Sequence, residues 1–320
     1  MAAGVTCFQW FFWGYSLTFS HSAGPYIGDL SNFGFMDVLA RPSVGSDKIP
    51  DLLFAVYQGM FSAITVALAT GAVAERGRML PCVVFMFVWA TVIYDPIACW
   101  TWNPSGWSNK MGGLDFAGGT PVHIASGAAA LAYSMMLGKR RGHGTHELNY
   151  RPHNVTHIVI GTVFLWVGWF GFNAGSALSA NMRAVMAAVV TNLAACVGGM
   201  TWCILDYRLE KKWSTVGFCS GVVAGLVSIT PGSGRFQLGT SGEILSGVKL
   251  TMCAQVMCRH GPPSCLESSA RPSPTTPPSS SSSSASTTRS TSLPSTVLAG
   301  WWATSAPPSS PPTTSPPLTA

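Results

Sequence analysis

Residues 155–177 read VTHIVIGTVFLWVGWFGFNAGSA and contain no Lys, Arg, Asp or Glu. About 20 apolar residues are enough for an α-helix to cross a hydrocarbon layer of ~30 Å. Only helices and closed barrels satisfy their backbone hydrogen bonds in lipid, and a barrel strand alternates between polar and apolar residues. This long run does not alternate, so it predicts a membrane-spanning helix.

Six more apolar segments flank this run. Charged residues make up 9% of the 320-residue chain, against roughly 25% in a soluble domain, so most of the surface must face something other than water. We therefore predict an all-α integral membrane protein with seven helices. The predicted helical segments are 5–20, 54–74, 79–100, 119–138, 155–177, 183–206 and 215–231.

The charge and cysteine patterns argue against several other classes of protein. The net charge is +6, but the basic residues are scattered between apolar stretches and form no nucleic-acid-binding patch. The nine cysteines form no CxxC pair and most lie inside apolar runs, which predicts packing within helices rather than metal sites or disulfides. The first segment lacks a basic flank and a small-residue cleavage site, so we expect no secretory signal.

The basic residues of the loops predict the orientation in the membrane. Nine Lys or Arg residues lie in the loops around 76–78, 139–151 and 208–212. Four lie in the loops on the other side, namely Arg41, Lys48, Lys110 and Arg183. The alternation fits all seven segments, so the positive-inside rule places the first set of loops, and the N-terminus, in the cytoplasm.

His123 is the clearest functional candidate, because ionisable groups inside membrane segments are costly and usually serve a function. It lies one turn into GTPVHIASGAAALAYSMMLG, residues 119–138, among small residues that leave room beside the imidazole. Two interpretations stay open from this segment alone. The imidazole could bond a neighbouring helix, or it could exchange hydrogen bonds with a small polar solute in an apolar lumen.

Three carboxylates lie at or near the predicted helix ends. Asp115, in LDFAGGTPVH, immediately precedes the helix that carries His123. We interpret it as an N-terminal cap or turn carboxylate, which would also add negative potential near the mouth of a cation pathway. Glu75 and Asp95 are interpreted as helix-end or packing charges.

Aromatic spacing gives a second functional signal. Tyr57 and Phe61 are four residues apart and share a helix face, as do Trp169, Phe172 and Ser176 at positions i, i+3 and i+7. Trp102 follows at the outer end of its segment, where a lone Trp would be assigned to the interfacial belt. Such stripes usually reflect packing, but clustered π faces beside a hydroxyl can also hold a small cation.

Six motifs, in this order and spacing, resemble the ammonium transporter family, and its fungal members most. The resemblance covers roughly residues 8–234 and implies a fold of eleven membrane helices, built as two inverted five-helix repeats plus one, with a pore in each subunit of a homotrimer. The motifs are FQWFFWGYSL, GAVAERGRM, YDPIACWTWNPSGW, LDFAGGTPVHI, GWFGFNAGSA and CSGVVAGLVSITPGSG.

The resemblance implies a role for each aromatic residue at the outer mouth. Trp102, Tyr57 and Ser176 resemble the external site that recruits ammonium. Phe61 and Phe172 resemble the stacked pair that closes the pore below that site.

Deeper in the pore, His123 resembles the first of two pore histidines and Trp169 a pore-lining tryptophan, while Asp115 resembles the carboxylate needed near the binding site.

The implied mechanism is capture of ammonium, deprotonation, and separate passage of ammonia and a proton. It implies no cofactor, no metal, no enzymatic reaction and no nucleic-acid partner, with ammonium or ammonia as substrate and the plasma membrane as location.

The family's pattern is incomplete in this chain. Its first helix, its last four helices and its second pore histidine have no counterpart in the reading frame, so we expect about seven of the eleven helices in residues 1–234. Residues 235–320 form a tail in which 41 of the last 62 residues are Ser, Thr or Pro. Such a composition predicts disorder.

The tail regains family-like sequence when it is read in another frame. In this frame each new codon combines the third base of one residue's codon with the first two bases of the next. With a suitable choice among synonymous codons, Ser286 through Thr304 can then read DDALDVFALHGVGGLVGN. Across Trp301, Trp302 and Ala303 the codons leave no choice of base, because Trp has a single codon. The shifted frame must therefore read Val-Gly there. The string resembles the family's stretch around its second pore histidine, which would straddle the codons of Ser295 and Thr296. We therefore expect residues 235–320 to be out-of-frame or intron-derived translation.

Two other functions remain as alternatives. An ammonium sensor, or transporter-receptor in nitrogen signalling, would share the membrane domain and act through a cytoplasmic tail. An intramembrane hydrolase using His123 and a serine would need an oriented base, and no GxSxG-like motif supports it.

Overall fold

The computed structural model describes residues 1–72, 74, 77–138 and 152–234. Its described part contains seven long helices, one for each predicted segment, which confirms the helical membrane fold. Four of the described stretches are long and apolar enough to cross a membrane by length and composition, namely Asp51–Gly71, Met79–Lys110, Val155–Gly175 and Met182–Glu210. Glu75 and the predicted tail, residues 235–320, lie outside the described residues.

The seven helices, α1 to α7, follow the predicted segments within a few residues. Helix α2 begins three residues earlier than predicted, at Asp51, and α6 continues to Glu210, beyond the predicted end at 206. The bounds are Ala2–Phe19 for α1, Asp51–Gly71 for α2, Met79–Trp102 for α3, Gly119–Leu137 for α4, Val155–Gly175 for α5, Met182–Glu210 for α6 and Thr215–Ile229 for α7.

Side-chain caps explain where the last three helices begin. Asn154, Asn181 and Ser214 precede α5, α6 and α7, and each side chain accepts a hydrogen bond from the backbone N–H three residues later. Such caps satisfy one of the donors that every helix leaves free at its first turn.

Three of the helices contain a π-helical turn. The turns span Trp10–Gly14 in α1, Ala90–Tyr94 in α3 and Gly119–Ile124 in α4. In α3 the turn is followed by Pro96, which has no N–H to donate and so interrupts the regular α-helical ladder. The turn in α4 contains His123 and thereby sets the direction of its side chain.

Helices α1 to α4 form one packed group. Its core is largely aromatic, with Trp10, Tyr15, Phe19, Phe54 and Tyr94 all buried. The outer end of α2 is anchored by Asp51, whose carboxylate accepts hydrogen bonds from the Tyr15 hydroxyl and from Nε of Arg41. A short hairpin, Pro42–Ser43 paired with Ser46–Pro50, leads into this anchor.

Helices α5 to α7 form the second group, in which α6 and α7 pack closely along a seam of small residues. A Cβ added at Gly225 would lie 2.3 Å from the backbone oxygen of Ala194, and one at Gly221 would lie 2.5 Å from that of Gly198. The two backbones therefore approach more closely than any larger side chain would allow. The two groups meet along a column of aromatic rings, which is the candidate site.

Candidate functional site

The outer mouth of the column brings Tyr57 and Ser176 together from opposite helix groups. Their hydroxyl oxygens are 3.1 Å apart, and the Tyr57 hydroxyl also lies 3.1 Å from the backbone oxygen of Phe172. Ser176 in turn donates to the same backbone oxygen at 2.7 Å. Two hydroxyls and the backbone oxygens of Gly171 and Phe172 thus form a polar rim above the rings.

Below this rim, two phenylalanines close the column. The Phe61 and Phe172 rings have centroids 4.4 Å apart, and Tyr57 and Trp102 contact Phe61 edge-on at 4.9 and 5.6 Å. Electron-rich faces and two hydroxyls around one mouth can hold a small cation by cation–π attraction. The five residues that the sequence singled out for the mouth lie together.

His123 lies beneath the phenylalanine pair as part of a ring stack, a name we use for His123, Trp169 and Phe172. Its imidazole is parallel to the Trp169 indole within 11° at 5.3 Å, and lies 5.8 Å from the Phe172 ring. The side chain is almost fully buried, at 1% exposure. Neither Nδ1 nor Nε2 has a hydrogen-bond partner in the described structure.

The described structure shows no bond from the imidazole to a neighbouring helix, which is what the first of the two interpretations left open by the sequence requires. A histidine that served only to join helices would bond its neighbour, because an unpaired buried polar atom is costly. Here both ring nitrogens are buried without a hydrogen-bond partner among the described residues.

Asp115 organises the loop that leads into α4. Its carboxylate accepts backbone hydrogen bonds from Gly118 and Gly119 at 2.7 and 2.8 Å and from Thr120 at 2.5 Å. Burial raises the pKa of Asp115 above its ordinary value, and these backbone bonds oppose that shift. The Asp115 backbone oxygen accepts a bond from Trp102 Nε1 at 3.3 Å, which links the loop to the outer mouth.

Asp95, interpreted from the sequence as a packing or helix-end charge, lies within α3, seven residues before Trp102. It is fully buried and accepts a hydrogen bond from Gln9 Nε2 at 2.7 Å between α3 and α1. Gln9 also donates to Thr91 Oγ1 at 3.1 Å. This network joins two helices of the first group and does not touch the ring stack.

Sequence reasoning missed the corner at Thr230 and Pro231. Trp169 Nε1 donates to Thr230 Oγ1 at 2.9 Å, and Phe116 N donates to the Pro231 backbone oxygen at 2.9 Å. The available signal was the TPGSG end of the last segment, since Pro commonly follows a helix C-terminus. Nothing in the sequence alone showed which residues that end would contact.

Among the residues that the structure describes, no three His, Cys, Asp or Glu side chains gather closely enough to hold a metal ion. The column itself is built of π faces, two hydroxyls and the imidazole.

Comparison with known proteins identifies the same pattern over most of the chain. The profile of the Ammonium Transporter Family matches residues 1–248. Ammonium transporter 1 of Schizosaccharomyces pombe is 66% identical over 234 residues, which are 73% of this chain and 47% of that protein. Ammonium transporter MEP2 of Saccharomyces cerevisiae is 54% identical over 239 residues, covering 73% of this chain and 48% of that protein.

Solved structures agree on the fold. The crystal structure of Candida albicans Mep2 aligns with a TM-score of 0.75 and 49% identity, covering 81% of this chain and 56% of that one. A structure titled "Sensor Amt Protein" aligns with a TM-score of 0.71 and 29% identity, covering 80% of this chain and 63% of that one. The chain spans about half the length of the curated relatives it matches.

Proposed function

This chain belongs to the ammonium transporter family, and on that premise we propose that the intact form of the protein moves ammonium across a membrane. Ammonium would be captured among Trp102, Tyr57 and Ser176, and pass the gate of Phe61 and Phe172. The chain is a multi-pass membrane protein, and we propose the plasma membrane as its location and a homotrimer as its assembly. The substrate undergoes proton transfer without enzymatic conversion.

The observation that carries this proposal is the buried imidazole of His123 with both nitrogens unpartnered, directly below a mouth suited to a cation. A bare cation is unstable in a dry, apolar passage. An N–H bond of ammonium therefore breaks below the mouth as its proton passes to a ring nitrogen of His123, and ammonia and the proton travel on separately. Trp169 lines this passage beside His123, and Asp115 supplies negative potential above it.

We also propose that the pore of this 320-residue chain is incomplete. The family's pore lies between two repeats, and the second histidine is encoded in the shifted frame of residues 235–320, as the family-like string through Trp301–Ala303 supports. On this reading, residues 1–234 are a partial transporter domain and residues 235–320 are a non-native tail.

The test is growth of a transporter-deficient yeast on low ammonium, with surface expression checked for each protein. We expect no rescue by the 320-residue chain and rescue by a frame-restored gene. His123→Ala in the frame-restored gene should abolish rescue. Rescue by the 320-residue chain that is lost on His123→Ala would refute the proposal that the missing half is required.

A sensor role is the second candidate, and the structural similarity to a protein titled as a sensor favours it. A sensor would restore ammonium-dependent signalling without restoring uptake. Measuring labelled methylammonium uptake beside growth in the same yeast separates the two functions.

A further inference from the structure

We propose that Thr230 is a positioning residue that holds the Trp169 indole against His123 and keeps the indole N–H out of the passage. Trp169 Nε1 donates to Thr230 Oγ1 at 2.9 Å, and both side chains are buried. The Thr230 hydroxyl donates to the Leu226 backbone oxygen at 2.8 Å. Because its proton is engaged there, the hydroxyl presents a lone pair to the indole.

The direction of these hydrogen bonds matters for the ring stack. An indole has one donor and no acceptor, so the bond to Thr230 uses all of its hydrogen-bonding capacity. Successive hydrogen bonds in a low-dielectric interior polarise one another, which strengthens the hold on Trp169. Within the ring stack, as the structure describes it, the polar atoms left for a solute are Nδ1 and Nε2 of His123.

The position of Thr230 is fixed by the next residue. Pro231 accepts a backbone hydrogen bond from Phe116, and a Cβ added at Gly119 would lie 2.1 Å from Pro231 Cγ. Gly119 begins α4, which carries His123 four residues later. The Thr230–Pro231 corner therefore contacts both helices whose rings stack, and sets the relative placement of His123 and Trp169.

The consequence rests on the proposed function: a small solute passing the ring stack meets the imidazole nitrogens and no competing donor. Thr230→Val keeps the shape of the side chain but removes the acceptor, so the indole N–H is released. Thr230→Ser keeps the acceptor. Thr162→Val is the matched control, because Thr162 lies on the same helix as Trp169 and its hydroxyl bonds to the Ile158 backbone oxygen at 2.9 Å.

The first experiment is NMR of the full 320-residue chain in nanodiscs, with ¹⁵N-labelled Trp indoles and labelled His imidazoles. Trp169→Phe and His123→Ala assign the two signals. Thr230→Val should move the Trp169 indole proton signal upfield and shift the His123 signal, while Thr230→Ser and Thr162→Val leave both near their original positions. Unchanged Trp169 and His123 signals in Thr230→Val would overturn the proposal.

The second experiment measures methylammonium uptake by the frame-restored gene in yeast at equal surface expression. Thr230→Val should lower uptake about two- to tenfold, the size of one net hydrogen bond, and Thr230→Ser should not. Equal uptake by the two variants would overturn the positioning role. If the unmodified frame-restored gene shows no uptake, the proposed function fails, and the NMR result still decides the role of Thr230.

Discussion

Two buried aspartates illustrate how differently single residues contribute to this membrane protein. The Asp51 carboxylate has a cationic partner, Arg41, at 2.8 Å and a second donor, Tyr15. The Asp95 carboxylate receives a bond from the neutral Gln9 amide, and its Oδ1 has no partner in the described structure. Replacing the carboxyl group by an amide should therefore affect the two sites in different ways.

We expect Asp51→Asn to destabilise the chain by about 1–3 kcal/mol, because it leaves Arg41 without its anionic partner. Arg41 is partly exposed, so the loss of stability is smaller than for a fully buried pair. Asp95→Asn should change stability by less than about 1 kcal/mol, since the carboxyl has no cationic partner among the described residues and the oxygen of an Asn amide can still accept the bond from Gln9 Nε2. Thermal unfolding of both variants in detergent tests the contrast. Equal losses at both positions would contradict it.

Among single residues, the sequence predicted which side chains would lie together better than it predicted their hydrogen-bond partners. His123, Trp169, Phe61 and Phe172 stand out by type and spacing, because ionisable and aromatic residues in a lipid-spanning run need a reason to be there. The bond from Trp169 to Thr230 joins residues about sixty positions apart, and no local pattern encodes such a pairing.

At the scale of the helices, close packing of α6 on α7 depends on glycines that face a neighbour. In α5, by contrast, an added Cβ would meet nothing within 4 Å at Gly161, Gly168 or Gly171. A Cβ at Gly225 would collide with the Ala194 backbone, but one at Gly161 has nothing within 4 Å. The same substitution should therefore have opposite effects in the two helices.

Gly225→Ala should cost about 1–3 kcal/mol by forcing the helices apart. Gly161→Ala should be neutral or stabilise by up to about 1 kcal/mol, because Ala is the better helix former. Both variants can be compared by the temperature at which the detergent-solubilised chain loses its monodisperse size-exclusion peak. A Gly161→Ala protein as unstable as Gly225→Ala would refute the packing assignment.

Helix positions were predictable from hydrophobicity because lipid demands long apolar runs, whereas the three π-helical turns were not. An apolar stretch such as ATVIY, residues 90–94, has no polar face from which a change of helical period could be detected. Only the proline that follows it gives a hint, since proline disturbs the ladder whether it kinks, widens or ends a helix.

For the molecule as a whole, the coding frame makes a distinct prediction. We expect the genomic DNA near codon 235 to contain an unspliced intron or a small insertion or deletion, with the missing helices encoded in the shifted frame. Sequencing the genomic locus together with the spliced transcript tests this. A transcript that reproduces Arg235–Ala320, in a genome with no family-like shifted frame, would contradict it.

The contact between Pro231 and Gly119 also determines the order in which parts of the site can assemble during biosynthesis. Gly119 enters the membrane early, but its partner emerges from the ribosome more than one hundred residues later. Until then the start of α4 lacks the surface that fixes its placement, so His123 and Trp169 can come into register only after α7 has been inserted. Gly234, after which we propose that the reading frame changes, comes three residues after Pro231. When the ribosome reaches the proposed frame change, the nascent chain therefore already contains the ring stack and the Thr230–Pro231 corner that positions it.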